Sequence, residues 1–337
     1  MSEPPPPRAN PDLVGQEQAE AALLAAWRSG RLPHAWLLSG PRGVGKATLA
    51  YRMARFVLAH PDPRAAEVQS ATSLHVDADH PVIRRIAAQG HGDLLVLERT
   101  INEKTNKLRQ DIQVDDVRRT ITFFGSTAGE GGWRVAIVDA VDDLNPAGAN
   151  ALLKILEEPP RRAVLLLISH SAARVLPTIR SRCRLLALRP LQASEVARAA
   201  AAAIGEGAET ADIEAAAAVA DGSVQRALAL LDGDTLDLRS RITTLLERLP
   251  AVDPRALHAL GDRLYGTDPA TLAAFVDTVN TWLSTRLASE LDPARLARVA
   301  EVWERINLSA RDVDVFNLER KPLVFNVFGW LAEASRG

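Results

Sequence analysis

Cysteine occurs once in the 337 residues, at Cys183. A single thiol closes no disulfide within the chain and builds no cysteine-cluster zinc site, which fits a reducing compartment and a cytoplasmic protein. Aromatic residues are scarce at 4%, too few for an aromatic-rich β sandwich. Neither sign of charge is in excess: 40 Lys and Arg stand against 42 Asp and Glu, a net charge of -2. Bulk attraction to nucleic acid is therefore missing, as is a basic stripe interleaved with aromatics, and both weigh against a nucleic-acid-binding module. No apolar run approaches the roughly 20 residues of a membrane span, and the opening MSEPPPPRANP lacks the apolar core of a signal peptide. Residues 1–11 are expected to be a disordered, proline-rich lead-in.

What the chain does have is alanine, leucine and helical periodicity, with apolar residues at 47%. The length suits two or three domains. Apolar spacing from Asp12 to Arg28 predicts a helix, AWLLSG (Ala35–Gly40) a short buried strand, and TLAYRMARFVLA (Thr48–Ala59) a second helix. Residues 60–92 read as an irregular excursion with at least one short helix. Asp93–Arg99 reads as a strand, Thr100–Gln110 as a loop, and Asp111–Gly125 as a helix. The clearest strands are WRVAIVDA (Trp133–Ala140) and AVLLLIS (Ala163–Ser169), separated by a helix in PAGANALLKILEEPP that Pro159 and Pro160 stop. Alternation of strand and helix predicts a parallel sheet covered on both faces. After Leu188–Leu191 strand signals vanish, and helices follow to the end, with Pro254, Pro269 and Pro293 near predicted starts.

Between the first strand and its helix stands GPRGVGKAT, Gly40–Thr48. Gly40, Gly43 and Gly45 free successive backbone N–H groups to surround phosphate oxygens, and Lys46 is placed to meet the β and γ phosphates. The alternative is a glycine turn joining strand to helix. The pattern departs from the phosphate-loop consensus at Ala47, where a hydroxyl ordinarily ligates Mg²⁺. Thr48 is one residue on, rotated about 100° around the helix, so it does not simply replace that hydroxyl. A second acidic position belongs at the end of a strand, and VAIVDA supplies Asp139. The next residue, where a carboxylate would polarise an attacking water, is Ala140. Asp142 and Asp143 are expected to cap the following helix.

Ser169 ends the next strand, where its hydroxyl orients a water or the γ phosphate, or serves only as a cap. In LPTIRSRC (Leu176–Cys183), Arg182 is either a solvated surface arginine or a guanidinium offered to a neighbour's phosphate. Arg226, in DGSVQRALAL, contacts nucleotide from a lid or faces water.

GPRGVGKATLA, WRVAIVDAVDDLN, NALLKILEEPP and LPTIRSRCRLL, in this order and spacing, resemble the clamp-loader branch of the AAA+ ATPases, and within it the delta-prime type of chain from bacterial DNA polymerase III. NLERKPLVFNVF (Asn317–Phe328) is similar to the collar end of such chains. The resemblance runs from Asp12 to the C-terminus. It implies an α/β P-loop AAA+ parallel-sheet domain at 12–190, a small helical lid domain at 191–235 and an all-α collar domain at 236–337. It implies partners too: DNA polymerase III delta and gamma/tau subunits in a hetero-pentamer that loads the sliding clamp onto primed DNA, with no membrane partner.

By the same matching, Arg182 falls at the family's arginine finger, acting in trans on a neighbour's ATP. Lys46 belongs to the phosphate loop, Asp139 to the second acidic motif, Ser169 to sensor 1 and Arg226 to sensor 2, while Val14, Gly15 and Gln16 match the segment that flanks the adenine pocket. ATP or ADP is the implied ligand, with Mg²⁺ left open by Ala47. Many relatives carry four cysteines forming a zinc module after the first helix. The excursion at 60–92 has none, and His60, His75, His80 and His91 lack matched metal spacing, so no zinc is expected. Some delta-prime chains have lost the phosphate loop entirely, whereas this one keeps most of it. The rival reading is an autonomous AAA+ motor ATPase of the gamma/tau type, which Ala47 and Ala140 disfavour.

Overall fold

A computed structural model describes residues 4–102, 107–125, 132–205, 209–231, 233–264, 269–289, 292–316 and 318–336. The chain divides into two compact units, Met1–Ala227 and Leu228–Gly337. In order, the first unit contains α1 (Glu17–Arg28), β1 (Ala35–Ser39), α2 (Lys46–Ala59), α3 (Ala66–Ser70), α4 (Pro81–Ala87), β2 (Leu94–Glu98), β3 (Ile101–Asn102), β4 (Lys107–Leu108) and α5 (Val114–Gly125). It continues through β5 (Arg134–Asp139), α6 (Pro146–Glu157), β6 (Ala163–Ser169), α7 (Pro177–Arg180), β7 (Arg184–Ala187), α8 (Ala193–Ile204) and α9 (Thr210–Ala218) to α10 (Val224–Leu231), within which the division falls.

Five strands form one parallel sheet in the order β2-β5-β6-β1-β7. Successive side chains of a strand point to opposite faces, and the central strands are apolar on both. Trp36, Leu38, Val135, Ile137, Val164, Leu166 and Ile168 pack into the core that holds Leu23 and Trp27 of α1 and Leu49, Met53 and Phe56 of α2. The alternate residues Ala35, Leu37, Ala136, Val138, Leu165 and Leu167 pack with Val117 of α5 and Leu152 and Ile155 of α6. This two-sided burial is why β6 reads as an unbroken aliphatic run.

Several expectations are corrected. The first helix begins at Glu17 rather than Asp12; residues 12–16 instead run across the phosphate loop, where Gln16 bonds to Val44. β7 was not anticipated: three of its four residues are exposed, so it lacks the apolar signature of a central strand, and only its pairing with β1 makes it one. The loop expected over 100–110 contains the β3–β4 pair, Ile101 opposite Leu108; residues 103–106 of that expectation lie outside the described residues. Where the proline-rich start is described, it is held rather than disordered: Arg55 donates to the carbonyls of Pro7, Arg8 and Asn10 at 3.1, 2.6 and 2.8 Å.

The 60–92 excursion is tied to α1. Arg28 Nε donates to the Val68 carbonyl at 2.9 Å, the Leu74 N–H donates to Glu20 at 2.9 Å, and Val68, Leu74, Val82 and Ile86 are buried in the core. Hydrophobic burial thus anchors it. His60 bonds Glu67 at 3.0 Å, and no group of three His, Cys, Asp or Glu among the described residues is placed to hold a metal.

The second unit is helical: α11 (Gly233–Glu247), α12 (Pro254–Arg263), α13 (Pro269–Ser289), α14 (Pro293–Phe316) and α15 (Arg320–Arg336). The three prolines open α12, α13 and α14, where their missing N–H costs nothing. Ile242, Leu246, Phe275, Val279, Ile306, Val324 and Phe328 form its core. Asn280 and Asn307 exchange side-chain amide bonds at 2.9 and 3.2 Å, a polar pair that fixes how α13 and α14 meet. Asn317, the first residue of the collar-like motif, lies outside the described residues. No described helix is long and apolar enough to cross a membrane.

Candidate functional site

The loop from Gly40 to Gly45 leaves β1 at the carboxyl edge of the sheet, where ligands of open α/β sheets bind. Gly43 and Gly45 have φ of 75° and 97°, a region L side chains avoid, and Gly45 opens α2 with no side-chain cap on the helix's first N–H groups. Together with the 14-residue helix behind it, this makes an anion cradle. Lys46 is 4% exposed. Its ammonium donates to the carbonyls of Gly40, at 2.6 Å, and Pro41. Burial lowers its pKa to about 8 against the opposing pull of Asp139 and Asp142. A phosphate oxygen therefore competes with neutral carbonyls, not with a carboxylate bonded to the ammonium, and the residues present fit a phosphate. The fit to Mg²⁺ is poorer: Ala47 turns its methyl against the core and offers no oxygen, while Thr48 is half-buried in the first turn of α2.

Asp139 ends β5 beside Glu98, its register partner on β2. Burial pushes its pKa up to about 6; Glu98 adds to the rise and Lys46 opposes it. Because the unfolded value is 3.8, the folded state binds more protons between these two values. The stability contributed by this group is present below the unfolded value and lost as pH rises through the folded one. Asp139→Asn should remove that segment of the pH profile: urea unfolding between pH 4 and 6.5 should show wild type losing about 2 kcal/mol more than the variant. Parallel profiles would contradict the assignment.

Ala140 is 1% exposed and packed in the core, so no carboxylate follows Asp139. Asp142 and Asp143 do not cap α6, as expected from sequence; Asn145 does, accepting from the Gly148 N–H at 2.8 Å. Asp142 accepts from Ser169 Oγ at 3.1 Å and from the His170 N–H at 2.8 Å, and Asp143 pairs with Arg99 at 3.1 Å. The buried Ser169 hydroxyl is thus fixed to a neighbouring carboxylate. His170, which sequence reasoning missed, lies beside this cluster. Burial, then Lys46 and Arg42, lower its pKa to about 4, so its imidazole is neutral at pH 7. Its signal was only its place, one residue past the strand that ends in Ser169.

Gln16 Nε2 donates to Val44 in the loop at 3.1 Å and to Arg189, between β7 and α8, at 2.8 Å. Gly15 is covered: a Cβ there would lie 2.5 Å from Leu191 and 2.8 Å from the Glu195 carboxyl carbon. Val14 is half-buried beside it. From the other side, the Val224 N–H of α10 donates to the Gly43 carbonyl at 2.9 Å. Arg226, two residues on, pairs with Asp221, and its N–H donates to Ser223 Oγ at 3.2 Å. The structure thus brings together the phosphate loop, Asp139, Ser169, the Val14–Gln16 segment and the start of α10.

Arg182 stands apart from that set. It follows α7, and its guanidinium donates to the Thr178 carbonyl at 2.9 Å and to Glu157, in the last turn of α6, at 2.8 Å. The neighbouring Cys183 packs into the core, and burial pushes its thiol up to about 11, which makes it an anchor for the turn.

The family described as DNA polymerase III, delta subunit, matches residues 15–192, more than half of the chain. The DNA polymerase III subunit delta' of Pseudomonas aeruginosa is 40% identical over 150 residues, covering 44% of this chain and 41% of that protein. The gamma/tau subunit of Mycobacterium tuberculosis is 35% identical over 182 residues, covering 52% of this chain and 28% of that protein. The matched stretch spans less than half the length of either relative. Among solved structures, a gamma subunit-related protein of Thermotoga maritima aligns over 93% of this chain and 99% of its own at 16% identity, with a TM-score of 0.48. With the loop and the strand-end aspartate at the carboxyl edge of one parallel sheet, the Ser181–Cys183 turn leading into its edge strand, and the family match running from residue 15 to residue 192, the chain belongs to the DNA polymerase III delta-subunit family.

Proposed function

We propose that this chain is the clamp-loader subunit that contributes Arg182 in trans to ATP held by a neighbouring gamma/tau motor subunit, in a cytoplasmic hetero-pentamer with delta and gamma/tau that loads the sliding clamp onto primed DNA. The observation that carries the reading is a contrast within one chain. The guanidinium of Arg182 is displayed at 36% exposure on an anchored turn, while the chain's own site lacks both a hydroxyl at Ala47, after the loop lysine, and a carboxylate at Ala140, after β5. A presented arginine stabilises the charge that develops on a transferring phosphoryl group.

In this reading the chain's own loop holds ATP or ADP for scaffolding. Gly43, Gly45 and Lys46 would take the phosphates, Val14 and Gly15 would flank the base, and Thr48, Asp139, Ser169 and Arg226 would line the phosphate end. Arg226 would have to exchange Asp221 for phosphate. Their exposed pair is cheap to break. Bound Mg²⁺ would keep waters where the hydroxyl is missing.

The second reading, an autonomous motor, draws on the intact cradle and on the likeness to gamma/tau. One mixing experiment separates them. The purified chain combined with delta and gamma/tau should enter a five-subunit assembly by native mass, with negligible hydrolysis by the chain alone. Steady turnover by the isolated chain, or failure to assemble, would remove the first reading.

A further inference from the structure

The partner that holds Arg182 belongs to this same chain, and its placement has a use. Glu157 is in the last turn of α6, just before Pro159 and Pro160, so the negative end of the helix adds to its carboxylate and draws a cation there. Leu152, Ile155 and Leu156 bury the face of α6 that fixes Glu157, and Ile179 and Cys183 fix the turn that carries Arg182. The guanidinium is thereby gripped at two points, by the Thr178 carbonyl on one terminal nitrogen and by Glu157 on the other. Five N–H groups are available on a guanidinium, so two anchoring bonds leave donors for a phosphate.

At 36% and 51% exposure the pair lies in high dielectric, which makes it a weak source of folding stability. Its effect is on geometry: a long side chain with many rotamers is held near one of them before a neighbour arrives.

We propose that Glu157 is a positioning residue for Arg182, setting the guanidinium at the subunit surface for a phosphate bound by the adjacent subunit. This rests on the trans-acting role of Arg182 proposed above. The test uses the assembled five-subunit complex, comparing wild type, Glu157→Gln, Glu157→Asp, Arg182→Ala and the Glu157→Gln/Arg182→Ala double variant for assembly by native mass and for kcat and KM at the site that Arg182 faces, taken from the slow phase of single-turnover ATP hydrolysis with DNA present. Glu157→Gln should assemble normally and lower kcat about threefold to tenfold at an unchanged KM. Glu157→Asp, which keeps the charge one methylene shorter, should recover part of that loss. The double variant should be no slower than Arg182→Ala, because a positioning residue has nothing left to position.

Wild-type kcat in Glu157→Gln, or an equal further loss in the Arg182→Ala background, overturns the positioning role. Should Glu157→Gln assemble poorly, Glu157→Asp decides: wild-type kcat supports a purely structural role and overturns the proposal. If Arg182→Ala alone leaves turnover unchanged, it is the trans-acting reading that fails, and the two failures are told apart.

Discussion

Under the proposed trans-acting role, Arg182→Ala should leave the proposed five-subunit assembly intact and lower turnover at the ATP site that the arginine would face by about a thousandfold, the scale of an arginine that stabilises phosphoryl-transfer charge. Assembly should survive because the side chain contributes little to the fold. Its bonds are to one backbone carbonyl and one exposed carboxylate, while the turn is anchored by Ile179 and Cys183. In steady state the complex retains the sites that Arg182 does not face, so the bulk rate falls by their share unless the sites fire in sequence. A single-turnover measurement of bound ATP therefore reads the effect more directly: one slow site among fast ones. Uniform kinetics at all sites would exclude the role. Lysine at the same position should rescue poorly, since it supplies a point charge without the planar fork.

Gly43→Ala should destabilise the first unit by about 3 kcal/mol, through two additive causes. A Cβ at φ 75° costs about 1–2 kcal/mol by itself. The added methyl would also sit 2.1 Å from Ser223 Oγ and 2.9 Å from Gln225 Cβ. Ser223 can rotate away only by giving up the bond from the Arg226 N–H, and the Gln225 contact has no such escape without moving the start of α10. The Val224 N–H to Gly43 carbonyl bond is the first casualty. Gly45→Ala is the control: at φ 97° it bears the backbone cost, but its nearest contact is Leu13 at 3.4 Å, so a loss nearer 1 kcal/mol is expected. Thermal melting and hydrogen exchange at Val224 measure both. A Gly43→Ala melt no lower than that of Gly45→Ala would show that α10 does not rest on the loop.

These contacts bear on why the loop is retained beside a missing hydroxyl. Gly40 would meet the Leu188 carbonyl at 2.5 Å if it carried a Cβ, Gly43 meets the start of α10, and Gln16 bridges Val44 to Arg189. Gly40 and Gly43 are thus required by the packing of Leu188 and of the start of α10 against the loop, as well as by any phosphate the loop receives.

Patterns local to a few residues were legible in the sequence. β1, β5 and β6 announced themselves as aliphatic runs, since a strand buried on both faces must be apolar throughout. The helix in NALLKILEEPP ended where its prolines required, and the strand–loop–helix around Gly40–Thr48 followed from spacing alone. Asp139 and Ser169 could be placed at strand ends for the same reason. β7 could not, because an exposed edge strand has no apolar signature and exists by pairing with β1. Nor could the partners of Asp142, Arg226 and Arg182, or the neutral state of His170. The sequence by itself determined which chemical groups stand at the carboxyl edge of the sheet and on the Ser181–Cys183 turn, because chain order and hydrophobic period place them there. Only the tertiary structure decided what each group is bonded to: Lys46 to carbonyls, Ser169 to Asp142, Arg182 to Glu157. The last two join residues 27 and 25 positions apart, and all three depend on how the folded chain places and buries each group, which no local pattern encodes.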